Sequence, residues 1–189
     1  MKKAGGKAKQ VLLVVIPSLI AFFLPGLSAQ ACGPAVVIEF LEGAPEDSFE
    51  IRNVSAGSWS LTSLKIQLAG SKGDLVFDTA PGGEGVSVFQ PFQARASDVR
   101  LIEAPVVHDG ARVLDLEFAA FWSGKNFDFT IDLDDRLPVS EYGQTQVSGA
   151  EIEGAIVIAA FVDKDGVHSV QKGAFGSDAR AVLNGGTCA

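Results

Sequence analysis

KNFDFTIDLDD, residues 125–135, alternates without a break. Phe127, Phe129, Ile131 and Leu133 fall on one side, and Asp128, Thr130, Asp132 and Asp134 on the other. A period of two over this length is a half-buried β-strand. One face is apolar enough to join a core. The other carries three carboxylates, with Asp135 next in line at the strand's end. Like charges along one strand face repel, so they are either well solvated or neutralised by a cation.

Working outward, residues 112–122 (RVLDLEFAAFW) also alternate, and Ser123-Gly124 follows them directly. The two strands are therefore expected to form a hairpin. Residues 35–40 (AVVIEF) and 47–53 (DSFEIRN) have strand chemistry, the second with Phe49 and Ile51 inward. In residues 59–68 (WSLTSLKIQL) the phase slips between Leu61 and Leu64, which predicts a bulge. Asn53-Val54-Ser55 has the form of a glycosylation sequon but reads as a turn. Further strands are expected at 73–78, 85–92, 99–103 and 151–162, with Pro91 confining its strand to an edge. The tight turn DKDG, residues 163–166, leads into another at 167–171. Residues 177–189 read as a tail. About nine or ten short strands without an amphipathic helix predict an all-β fold, a single antiparallel β-sandwich, immunoglobulin-like or jelly-roll.

The first 31 residues read differently. Lys2, Lys3, Lys7 and Lys9 precede an apolar run over 11–24, and Ala29-Gln30-Ala31 has the small residues of a cleavage site. This is a secretory signal peptide, leaving residues 32–189 as one domain. A retained membrane anchor is the alternative, but the run is short and contains Pro17, with Pro25 just beyond. Without the signal's four lysines, 11 basic side chains face 23 acidic ones, a net charge of −12. Such charge argues against nucleic acid and anionic membranes as partners and is compatible with divalent cations or simply with solubility. The expected location is periplasmic or extracellular, with no membrane span after cleavage.

Cys32 and Cys188 are the two cysteines, one at the start of the mature chain and one at its end. In an oxidising compartment they are expected to close the chain in a disulfide, stabilising it by about 4–5 kcal/mol. The competing reading is acylation of Cys32, which Ala29-Gln30-Ala31 fits poorly.

Asp132, Asp134 and Asp135, with Asp128, are candidate calcium ligands, helped by carboxylates such as Asp78, Glu84 or Glu141. The helix-loop-helix calcium loop is absent. Arg136 sits where its fifth-position oxygen should be, and Asp163-x-Asp165-Gly166 fails at Val167 and Ala174. The alternative is a solvated acidic strand end that discourages edge pairing. His108-Asp109 reads as turn chemistry, no serine occupies a G-x-S-x-G elbow, and the glycine-rich residues 78–85 match no phosphate-cradling motif. Trp59 and Trp122 are candidates for stacking on a sugar.

The segments IEFLEGAPEDSFEIRN, LTSLKIQL, GDLVFDT, GVSVFQPF, FTIDLDD and GQTQVSGAEIEGA resemble bacterial relatives of the sponge aggregation factor core protein, the wreath-type domain. The likeness runs over residues 36–155. It implies an extracellular β-sandwich related to calcium-dependent adhesion and carries no catalytic residues. The expected function is thus a non-enzymatic exported module for adhesion or matrix binding, calcium-assisted, with an extracellular glycan or protein as ligand. A secreted carbohydrate-binding module is the first alternative. A hydrolase built from scattered carboxylates is the second.

Overall fold

The alternation in residues 125–135 becomes the strand around which the larger sheet is built. A computed structural model of the chain describes residues 33–43, 46–86, 88–140 and 142–186. The expected signal peptide and both cysteines, Cys32 and Cys188, lie outside the described residues. Ten strands follow in order: β1 (Ala35–Leu41), β2 (Asp47–Asn53), β3 (Trp59–Gln67), β4 (Val76–Asp78), β5 (Gln93–Ala94), β6 (Val113–Glu117), β7 (Asn126–Asp134), β8 (Ile156–Asp163), β9 (His168–Ala174) and β10 (Arg180–Asn184). One antiparallel sheet has the order β10-β1-β2-β7-β4, with β5 also paired to β7. The other runs β6-β3-β8-β9. The fold is therefore all-β, in two antiparallel sheets. No helix among the described residues is long and apolar enough to cross a membrane.

Strand β7 is central because both its edges are used. Six of its residues pair with β2, from Asn126↔Arg52 to Ile131↔Asp47. Its other edge takes β5 at Phe129 and Thr130 and β4 from Asp132 to Asp134. Its apolar face enters a core shared by both sheets, with Leu61, Leu64, Ile66, Leu114, Leu116 and Phe161 contributed from the smaller one. Phe129 stacks on Phe49 at 4.9 Å and meets Phe92 at 5.0 Å. The bulge expected in β3 lies between Leu61 and Ser63 in its pairing with β8. β8 and β9 form the hairpin turned by residues 163–166, where Asp163 and Val167 share a backbone bond.

The hairpin expected between residues 112–122 and β7 does not form. β6 pairs with β3 in the smaller sheet, and the chain crosses to the larger sheet before β7 begins. The connection is itself core: Phe118 and Phe121 are both buried, with ring centroids 5.0 Å apart. Burying those two rings outweighs the local turn signal. Asn53, at the end of β2, secures the crossing. Its amide nitrogen donates to the carbonyls of Trp59 (3.1 Å) and Phe121 (2.6 Å), and its oxygen accepts from the backbone and hydroxyl of Ser55. All four of its hydrogen-bonding positions are therefore filled. Asn53 is 1% exposed, so the sequon is structural, as the turn reading expected.

Three further segments differ from expectation. No described residue of 85–92 is in a strand; Pro91 has no N–H to donate, and strand pairing begins at Gln93 and Ala94. Residues 99–103 reduce to one bridge, Leu101↔Phe118. The expected tail contains β10, which buries Ala181 and Leu183 and pairs with β1.

Replacing Phe129 with Ala removes a fully buried ring from the meeting point of three others. The expected loss is about 3–5 kcal/mol in denaturant unfolding. Phe92→Ala, at a half-buried position, is expected to cost clearly less.

Candidate metal centre

Alternation puts Asp132 and Asp134 on the same face of β7, opposite the core residues Ile131 and Leu133. The third carboxylate comes from the neighbouring strand: Asp78 of β4 stands directly across from Asp132. One oxygen from each of Asp78, Asp132 and Asp134 lies within 4.8 Å of the others. Oxygens on opposite sides of one calcium ion are separated by about 4.8 Å, so a single ion can reach all three.

These carboxylates are not at a solvated strand end, which corrects the alternative weighed from the sequence. Asp78 is 0%, Asp134 1% and Asp132 2% exposed. A roof made by residues 79–86 and 88–90 covers them. Val86 donates its amide to Asp134 Oδ2 at 2.6 Å, and Gln90 bonds through its backbone to the carbonyl of Asp78 and the amide of Asp132. The Gln90 side chain reaches Thr130 Oγ1 at 2.8 Å. Gly85 lies so close that a methyl group there would overlap the carboxylates of both Asp78 and Asp134. Asp109 fastens the start of the roof by accepting the amides of Thr79 (3.0 Å), Ala80 (3.2 Å) and Glu84 (2.6 Å). Arg136 pairs with Glu84 at 2.9 Å.

Both oxygens of Asp78, Oδ2 of Asp132 and Oδ1 of Asp134 are buried without a hydrogen-bond donor. Buried carboxylates without donors are costly unless protonated or bound to a cation. Burial, and then the facing carboxylates of Asp109 and Asp134, push Asp78 up to about 7. Burial, and then the charges of Asp134, Asp47 and Asp78, push Asp132 up to about 8. Asp134 is raised too, chiefly by burial and against the Val86 amide. Asp109 moves the other way: the roof amides overcome its burial and hold it below the usual carboxylate range.

The sequence candidates are partly reunited. Asp132 and Asp134 belong to the cluster, and Asp78, expected as a helper, is a full member. Asp135 is buried beside it, with one oxygen accepting from Leu137 at 2.9 Å and the other without a donor, but it is not one of the three. Asp128 does not reach the cluster; it lies further down β7, across from Glu50. Glu84 serves the roof, and Glu141 lies outside the described residues. Trp59 is partly buried against the core, whereas Trp122 is 44% exposed.

Sequence reasoning missed Asp47. It is buried at the start of β2, where it accepts the amides of Gly43 and Leu133, each at 3.0 Å. Burial leads its shift to about 8. The only local signal was an acid heading an alternating strand. Comparison with protein-family models, curated proteins and solved structures returns no match.

The raised values fix a sign for pH dependence. Without a cation, the folded chain holds protons on Asp47, Asp78 and Asp132 that the unfolded chain releases near 3.8. Their stabilisation is present below that value and is lost as pH rises through about 7 to 8. In chelator, melting temperature is expected to fall between pH 6 and 8.5, and calcium is expected to reduce that fall. A flat profile in chelator would contradict it.

Proposed function

We infer that this chain is an exported, non-enzymatic β-sandwich module for adhesion or matrix binding, stabilised by a calcium ion held by Asp78, Asp132 and Asp134. The observation that carries the cation is the set of buried oxygens without donors on these three residues. All are hard oxygen ligands, which suits calcium, whereas zinc prefers nitrogen and sulfur. Magnesium is less suited, because it usually keeps several of its waters, and this cluster is sealed. The roof also argues against a hydrolase, since a substrate has no open path to carboxylates that are 0–2% exposed.

Two sheets with one shared core support the sandwich, and the ion would lock β4, β7 and the roof together. Export rests on the signal-like first 31 residues. Adhesion or matrix binding rests on the resemblance to aggregation factor core proteins. The disulfide gains support from its neighbours. Ala35 pairs with Asn184, and Gly185 donates to the carbonyl of Pro34 at 3.1 Å, so the segments next to the two cysteines run side by side.

Calorimetric melting with calcium and with chelator tests the ion. At a calcium concentration about 100-fold above Kd, stabilisation of about 2.7 kcal/mol is expected. Asp78→Asn and Asp134→Asn are expected to remove most of the calcium response, while Asp128→Asn keeps it. Identical melting in calcium and chelator would eliminate the calcium site. Intact mass of the exported chain tests the ends: a start at Cys32 with two hydrogens missing is expected, and an acyl mass would replace the disulfide with a lipid anchor.

A further inference from the structure

Away from the carboxylate cluster, two grooves of opposite charge adjoin at Ala104. One, of about 520 Å³, has an apolar floor that includes Phe92, Val99, Leu101 and Phe127, and carries Arg95 and Arg100. The other, of about 330 Å³, is lined by Glu103, Val106, Asp115 and Glu117. The segment carrying most of these residues is tied to the edge of the smaller sheet, since Ile102 donates its amide to the carbonyl of Glu117 and Ala119 to that of Arg100. The surface is therefore one face built from β6 and residues 95–106.

On this face Asp115 pairs with Lys65 at 3.1 Å and Arg95 donates to Ser48 Oγ at 3.2 Å, but Arg100, Glu103 and Glu117 have no charged partner among the described residues. Eight ion pairs form among the described residues, yet none includes Arg95, Arg100, Glu103 or Glu117. Beside them stand Ile102 and Val106, apolar side chains 65% and 81% exposed. Two cations and two anions without an ion pair, and two exposed apolar groups, thus lie on or beside the two adjoining grooves.

We propose that this face is the two-fold contact of a homodimer, with Arg95 and Arg100 of each copy set against Glu103 and Glu117 of the other. A two-fold axis brings one patch onto itself, so a patch that carries both signs side by side is self-complementary. Ile102 and Val106 supply the apolar centre that such a contact needs. The net charge of −12 on residues 32–189 opposes approach through other faces, which favours the one with local complementarity. Other occupants fit less of the surface. Ser97, the one side-chain hydroxyl lining the arginine groove, is already bonded to Asn126 and Val99, leaving little for a sugar. An acidic peptide would fill the arginine groove and leave the acidic one without a role.

Sedimentation velocity over a wide concentration range tests this with the chain purified after export. The wild type is expected to dimerise. R95E/R100E and E103R/E117R are each expected to weaken the dimer by about a hundred-fold or more, because like charges then face each other. An equimolar mixture of the two variants is expected to restore a dimer. Circular dichroism melting confirms that both variants fold, and their calcium response stays intact because Asp78, Asp132 and Asp134 are untouched. A wild type that stays monomeric throughout, or folded variants whose mixture does not associate, would overturn the dimer. So would a wild type that binds an acidic peptide as a monomer.

Discussion

Three carboxylates within 4.8 Å of one another, buried and short of donors, are the constraint around which β4, β7 and the segment between them are arranged. Water is excluded from them, so their charge must be cancelled by protons or by a cation. Asp78 comes from β4, Asp132 and Asp134 from β7, and the roof over 79–86 and 88–90 closes on all three. Whatever neutralises the cluster therefore also fixes how β4 and the roof sit on β7. Asp47 extends the constraint to β2, because its carboxylate takes the amide of Leu133.

The same strand serves two purposes through its pleat. Its inward side, Phe127 to Leu133, joins the aromatic core, where Phe49 and Phe92 pack on Phe129. Its outward side holds the acids. Because the core side cannot shift register without exposing four apolar residues, the acids are held in place by packing on the opposite face. The roof segment is tied into both, since it leaves Asp78, covers the carboxylates and then delivers Phe92 against Phe129. Carboxylate cluster and core are thus mechanically joined through one loop and one strand.

Legibility depended on how local each feature was. β7 and its acidic face could be read from alternation, as could the bulge in β3 and the hairpin between β8 and β9. The turn at Ser123-Gly124 misled because a local signal says nothing of competing burial: Phe118 and Phe121 carried the chain to the other sheet. β10 was missed because five residues near a chain end are a weak pattern. The Asp109 anchor was invisible and Asp47 nearly so, since the amides of Thr79, Ala80, Glu84 and Leu133 that they accept are distant in sequence.

By itself, the sequence determined an all-β chain, its main strand and the presence of acids on one side of it, because side-chain period is set by the backbone within each strand. Only the tertiary structure decided that those acids are buried rather than solvated, that Asp78 joins them and that Asp128 does not. The reason is that burial and charge proximity arise from cross-strand register and from the roof that folds over it. Neither exists until residues far apart in the chain have come together.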